Sequence, residues 1–171
     1  TWRDSKDGGK SYSIKPPINF NLWDKELKED YLLLLRTHPY TNKLFGVDFD
    51  DFIRDFSNYP DINDLLKVAD ILISDYSATI FDYAILERPI ICFAYDIIEY
   101  REERGFALDI EKEMPGGICK SETDVIDRIM NMNYQYECNL VKIFKGKYLE
   151  YGGTATALCV KTMFHNDEGI N

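Results

Sequence analysis

Short apolar runs alternate with amphipathic stretches along most of this chain. Tyr31–Arg36 reads "YLLLLR", a continuous apolar run closed by "THPY". A run so short and uniformly apolar suits a parallel strand buried on both faces, followed by a loop. "ILIS" at 71–74 and "PIICFA" at 89–94 have the same character, and "DFIRDFS" and "GGICK" predict two further short strands. Behind Pro60 and a capping Asp61, the residues Ile62, Leu65, Leu66 and Ala69 recur at helical spacing. Thr79–Glu87 reads as a helix. Its apolar face carries Ile80, Phe81, Ala84 and Ile85, and the opposite face carries Thr79, Asp82, Tyr83 and Leu86. "SETDVIDRIMNM" opens on Ser121 with Asp124 three residues on, a capping-box-like start. From about residue 134 the chain reads as two C-terminal helices broken at "EYGG". Residues 1–23 hold the turn formers "DGG", "PP" and "NFN" and read as an entry segment with one short strand. Asp24–Asp30 is a charged, helix-prone patch. Strands alternating with helices predict an α/β fold, with a parallel sheet covered by helices on both faces.

Composition narrows the functions. The 171 residues suffice for one domain with a real core, and 45% are hydrophobic. No apolar run reaches the roughly 18 residues of a membrane-spanning helix, and no signal peptide is evident. The net charge of −10 speaks against a nucleic-acid partner and against docking on anionic lipid. An anionic substrate would have to meet a few local cations. Cys92, Cys119, Cys138 and Cys159 lack C-x-x-C spacing and sit in apolar segments, so they read as reduced core residues of a cytosolic protein. Two histidines, His38 and His165, are too few for a His-rich metal site, and no metal site is predicted. The chain opens on Thr1, and "TWRDSKDGGKSYS" reads as the interior of a longer protein.

In open parallel sheets, ligands bind beyond the carboxyl ends of the strands. Three polar stretches fall there: "RTHP" after 31–36, "SDYSAT" after 71–73, and "YDIIEYREERG" after 90–94. The second is a strand-to-helix turn. Its unpaired N–H groups, the helix dipole and the hydroxyls of Ser77 and Thr79 have the local physics of a phosphate site. A simple helix cap explains the same two residues. His38 precedes Pro39, which keeps it out of helical geometry, and its imidazole can offer a donor or a positive charge to a phosphate. A structural loop histidine is the alternative. Arg101 and Arg104 bracket two glutamates, and an arginine fork matches phosphate oxygens. A solvated charged turn is the alternative there. Neither a Walker loop nor a dinucleotide fingerprint is present.

Taken together, "TWRD", "RTHP", the block from "VADILISDYSATIFDY" to "REERGFALD", and "EMPGGI" resemble the CDP-glycerol glycerophosphotransferase family. Those enzymes build teichoic-acid-type polymers. The likeness is dense over residues 31–118 and thinner beyond 120, where "YLEYGGTATALCVKTMF" resembles the family's C-terminal helix. Ala78 departs from a frequent second serine, and Gly152 from a frequent Asp before the last helix. The resemblance implies a GT-B fold of two Rossmann-like domains. This chain would be the C-terminal, donor-binding one over residues 1–171, without the N-terminal acceptor domain and its presumed catalytic histidine. It implies a cytidine-diphosphate donor, a lipid-linked polymer acceptor, no cofactor, and work at the cytoplasmic face of the membrane as a peripheral protein.

By the same resemblance, an acceptor hydroxyl attacks the β-phosphorus of CDP-glycerol and CMP departs. Positioning and charge stabilisation then do most of the catalysis. The residues implied at the donor diphosphate and nucleotide are His38, Ser74, Asp75, Ser77, Ala78, Thr79, Asp82, Arg101 and Arg104, with His38 and Arg104 as the catalytic pair. Asp82 would orient Thr79 or contact a glycerol or ribose hydroxyl. A CDP-ribitol or nucleotide-sugar donor is the alternative within the fold. A non-catalytic receiver-type module is a third reading, opposed by "RTHP" where such a module needs acidic residues.

Overall fold

The computed structural model describes residues 17–37 and 47–164 in full, together with the backbone of two strands, β1 (Tyr12–Ile14) and β3 (Thr41–Leu44). Between them come helix α1 (Phe20–Leu27) and strand β2 (Leu33–Leu35). Strand β4 (Ile53–Asp55), helix α2 (Ile62–Val68), strand β5 (Leu72–Ser74), helix α3 (Thr79–Ala84) and strand β6 (Ile90–Phe93) follow. Helices α4 (Ile97–Glu103) and α5 (Ile110–Glu113) lead to strand β7 (Ile118–Cys119). Helices α6 (Glu122–Met130), α7 (Tyr134–Tyr148) and α8 (Ala155–Phe164) close the described chain.

Every strand pairing is parallel, as the uniformly apolar runs predict. The ladders are nonetheless divided: β1 pairs with β3, β2 with β4, and β5–β6–β7 form a three-stranded sheet. Strand β6 shows why this is a two-sided fold. Its residues alternate between two apolar clusters, and all four are buried. Ile90 and Cys92 face Tyr83, Val141 and Phe144 of α3 and α7. Ile91 and Phe93 face Trp23, Leu27, Val125 and Ile129 of α1 and α6. Leu33, Leu35, Ile71 and Ile73 pack against the second cluster, so β2 and β5 share one core.

Three local readings need correction. The "NFN" stretch is a helix start and not a loop: the Asn19 side chain accepts the N–H groups of Asn21 and Leu22, and α1 buries Phe20, Trp23 and Leu27. Asparagine favours turns and N-caps by the same local hydrogen bonding, so the residue alone does not distinguish them. On α3, Ile80 and Ala84 are buried as assigned, but Tyr83 is completely buried and Ile85 is 52% exposed, the reverse of their assigned faces. Helix α3 ends at Ala84, and the Tyr83 phenol donates to the carbonyl of Ala69 at 2.8 Å. Finally, Cys92 and Cys119 are core residues, whereas Cys138 is half-buried and Cys159 is exposed on α8; all four are free.

The capping box at α6 is as predicted. Ser121 accepts the Asp124 N–H at 3.1 Å, and the Asp124 carboxylate accepts the Ser121 N–H at 2.9 Å. Ser121→Ala is expected to cost about 1 kcal/mol in urea unfolding. No change in midpoint would mean that the box contributes nothing net.

Candidate functional site

Strands β5 and β6 end side by side, with Ser74 paired to Cys92. From Ser74 the chain runs through Asp75, Tyr76, Ser77 and Ala78 into α3. The Ser77 hydroxyl accepts the Thr79 N–H at 3.2 Å and donates to the Thr79 hydroxyl at 3.0 Å. The N–H groups of Ile80 and Phe81 go to the carbonyls of Ser77 and Ala78. From Thr79 onward, the helix start is therefore satisfied by its own turn. The backbone N–H groups of Ser77 and Ala78 have no hydrogen-bond partner among the described residues. The Ser77 hydroxyl thus caps the Thr79 N–H from one residue before the N-cap position, Ala78, and two adjacent donors stay uncommitted at the carboxyl edge of the sheet. Helix α3 has only six residues, so these local donors matter more than a macrodipole. Ala78 is exposed and in helical geometry, with no side chain beyond its methyl to cover them.

Asp82 is exposed and makes no hydrogen bond to Thr79, whose hydroxyl is engaged by Ser77. It does not orient Thr79. His38 lies outside the described residues. The residues before it are placed: Thr37 donates to the Ser57 hydroxyl at 3.0 Å, and Arg36 donates to the carbonyls of Phe56 and Tyr59 at 3.1 and 2.6 Å. These bonds tie together the carboxyl ends of β2 and β4.

The stretch "REER" forms the last turn and C-cap of α4, a helix the sequence pattern did not predict. Arg104 is its exposed C-cap residue. Arg101 donates to Glu111 at 2.8 Å and lies 5.9 Å from the centre of the Phe106 ring. Glu111 also accepts from Lys120 at 3.0 Å, and these two cations hold its carboxyl below the usual range. Arg101 is committed to this cluster.

One feature escaped the sequence reading. Tyr76, inside the turn, donates its phenol proton to Asp96 at 3.0 Å. Its ring lies 4.2 Å from that of Tyr100 and 5.1 Å from that of Phe106, centre to centre. The recurring "DY" pairs and the "YD" at 95–96 were the available signal, yet no spacing rule joins residues 20 apart across two strands. A cavity of about 140 Å³ lies behind the turn, lined by Asp75, Tyr76, Ser77, Cys92 and Phe106 among others. Burial, reinforced by the charge of Asp75, pushes the Cys92 thiol up to about 12, so it is no thiolate nucleophile. A wider depression beside the start of β4 is rimmed by Asp24, Asp48, Asp50 and Glu122. That acidic rim is unsuited to a diphosphate.

Comparisons with known proteins identify the family. The family model described as CDP-Glycerol:Poly(glycerophosphate) glycerophosphotransferase matches residues 1–164. The teichoic acid glycerol-phosphate transferase of Staphylococcus aureus (strain NCTC 8325 / PS 47) is 37% identical over 96% of this chain and 43% of its own length. The teichoic acid poly(ribitol-phosphate) polymerase of Bacillus spizizenii (strain ATCC 23059 / NRRL B-14472 / W23) is 36% identical over 70% of this chain and 20% of its own. The solved structure of the wall teichoic acid polymerase TagF superposes with a TM-score of 0.78 at 32% identity, over 96% of this chain and 41% of that one. A variant of that polymerase soaked with CDPG gives 0.72 at 33% identity, over 95% of this chain and 42% of that one. The chain thus spans less than half the length of the relatives it matches. Its fold is the parallel α/β type of a GT-B polymerase. Because the family model spans residues 1–164, nearly the whole chain, the chain belongs to the CDP-glycerol:poly(glycerophosphate) glycerophosphotransferase family.

Proposed function

We propose that this chain is the donor-binding unit of an enzyme that transfers glycerol phosphate from CDP-glycerol to a hydroxyl of a lipid-linked, teichoic-acid-type acceptor. The observation that carries the reading is the pair of uncommitted N–H groups at Ser77 and Ala78, set at the carboxyl edge of a sheet that matches the family over residues 1–164. The diphosphate takes those two donors. Arg104 and His38 supply positive charge against the negative charge that builds on the departing CMP. Ser74, Asp75 and Thr79 shape the turn, Arg101 contributes at longer range, and Asp82 is left to contact a donor hydroxyl. The acceptor attacks the β-phosphorus, and the bond from that phosphorus to the CMP oxygen breaks. The base that takes the acceptor proton, and the acceptor site, belong to a second domain beyond this one. The reading assigns no metal or cofactor role to any residue here. No helix among the described residues is long and apolar enough to cross a membrane. A lipid-linked acceptor places the enzyme peripherally at the cytoplasmic face, with contact made by parts less acidic than this one.

Calorimetric titration with CDP-glycerol tests the site. His38→Ala and Arg104→Ala are each expected to weaken binding about tenfold or more, the scale of one charge-assisted hydrogen bond. Unchanged affinity in both variants would sink the assignment. CDP-ribitol is the second donor to titrate, because a poly(ribitol-phosphate) polymerase is among the relatives.

A further inference from the structure

We propose that Tyr76 and Asp96 form a positioning pair that locks helix α4, and with it Arg104, to the donor turn. The inference rests on the donor-site reading above and extends it to residues that touch no ligand. Three observations carry it. Asp96 occupies the N-cap position of α4, where aspartate normally accepts a backbone N–H, yet its side chain makes no capping bond. It takes the phenol of Tyr76 instead, at 3.0 Å. Around that bond, the rings of Tyr76, Tyr100 and Phe106 form a closed set, each pair of centres between 4.2 and 5.2 Å apart. Tyr76 comes from the turn, Tyr100 from α4 and Phe106 from the segment just after Arg104. One side chain therefore spans the two segments that the donor diphosphate must meet together.

The chemistry of the pair explains why a tyrosine stands between Asp75 and Ser77. The ring fills the space between the turn and α4. Its hydroxyl fixes the rotation of the turn, because it must end on one carboxylate oxygen. Any displacement of α4 stretches this bond and shifts Arg104, the C-cap of α4, relative to the turn that carries the N–H groups of Ser77 and Ala78. The loss on breaking the link is thus a loss of mutual placement, with every ligand-contacting group still present.

A double-mutant cycle on CDP-glycerol affinity tests the pair, with hydrogen exchange on the ligand-free protein as the second readout. Tyr76→Phe keeps the ring and removes the bond. It is expected to weaken binding five- to twentyfold and to speed amide exchange in peptides covering both 74–80 and 97–104. Asp96→Ala should do the same, and the double variant should be no weaker than either single one. Asp96→Asn, which keeps an acceptor for the phenol, should recover most of the affinity. Additive losses, no rescue by Asn, or exchange unchanged in both segments would overturn the proposal. If the unsubstituted protein binds no CDP-glycerol, the donor-site reading falls, while coupled exchange in the two segments still decides whether the link exists.

Discussion

Glu137→Ala is expected to cost about 3–5 kcal/mol of folding stability, the scale for removing one partner of a buried ion pair. Glu137 sits on α7 and meets Arg128 of α6 twice, at 2.6 Å from Nη2 and 3.3 Å from Nε. The two side chains are only 13% and 11% exposed. The arginine also donates to the carbonyls of Pro115, Gly117 and Ile90. One guanidinium thus joins two helices to the loop before β7 and to the start of β6. Without Glu137 that cation stays buried with neutral carbonyls as its partners. For a domain worth some 5–15 kcal/mol in total, the urea midpoint should fall by about a fifth or more. Replacing both residues with leucine should cost less than removing Glu137 alone, since no orphan charge remains. A loss of stability below about 1 kcal/mol for Glu137→Ala would show that water already reaches the pair.

The same pair explains the glycine at 116. Its φ is +68°, and a Cβ there would lie 1.9 Å from Arg128 Nη2. The resemblance picks out "EMPGGI" as a family motif, and the structure gives its second half a structural reason. Gly116 clears the way for the arginine that closes the fold at the amino end of the sheet. Motif membership does not separate a residue that holds a ligand from one that holds an arginine.

How much of the molecule was legible follows from the range of each interaction. Strands β2, β5 and β6 could be read directly as short apolar runs, although only β6 is buried throughout; β2 and β5 are half-buried, and Leu32 just before β2 is exposed. Helices α2 and α6 were legible through Asp61 and the Ser121–Asp124 box, whose chemistry is complete within four residues. Helices α4 and α5 were missed. They are seven and four residues long, and neither has a side-chain cap bond. At α4 the residue that would have announced the helix, Asp96, is turned to Tyr76 instead. On α3, Tyr83 was placed on the wrong face because it was weighed as polar. Its ring is buried, and its hydroxyl is satisfied by a carbonyl fourteen residues earlier in the chain. The phosphate turn was legible as a position, the end of β5. What the sequence left open was whether Ser77 caps the helix or serves a ligand. The structure shows it capping, with backbone donors released beside it.

That division of labour leads to the largest functional effect expected here. Ser77→Asp should abolish donor binding while leaving the fold intact or slightly firmer. Aspartate is as good a cap as serine, so its carboxylate can accept the Thr79 N–H that the hydroxyl accepts now. The same carboxylate lies beside the N–H groups proposed to take the diphosphate. Two like unit charges about 4 Å apart repel by roughly 4 kcal/mol at an effective dielectric near 20, and salt lowers that figure. The net expectation is a loss of affinity of at least a hundredfold in calorimetry with CDP-glycerol, and a thermal midpoint no lower than that of the parent. Ser77→Ala makes the complementary case. It loses the cap but adds no charge, so stability should fall by about 1 kcal/mol while binding falls only severalfold. If the hydroxyl itself were the main ligand to the phosphate, Ser77→Ala would lose as much affinity as Ser77→Asp. If the diphosphate bound elsewhere, Ser77→Asp would bind as well as the parent. Only a site made of the backbone donors at Ser77 and Ala78, held in place by a cap, predicts that the two variants separate stability from binding in opposite directions.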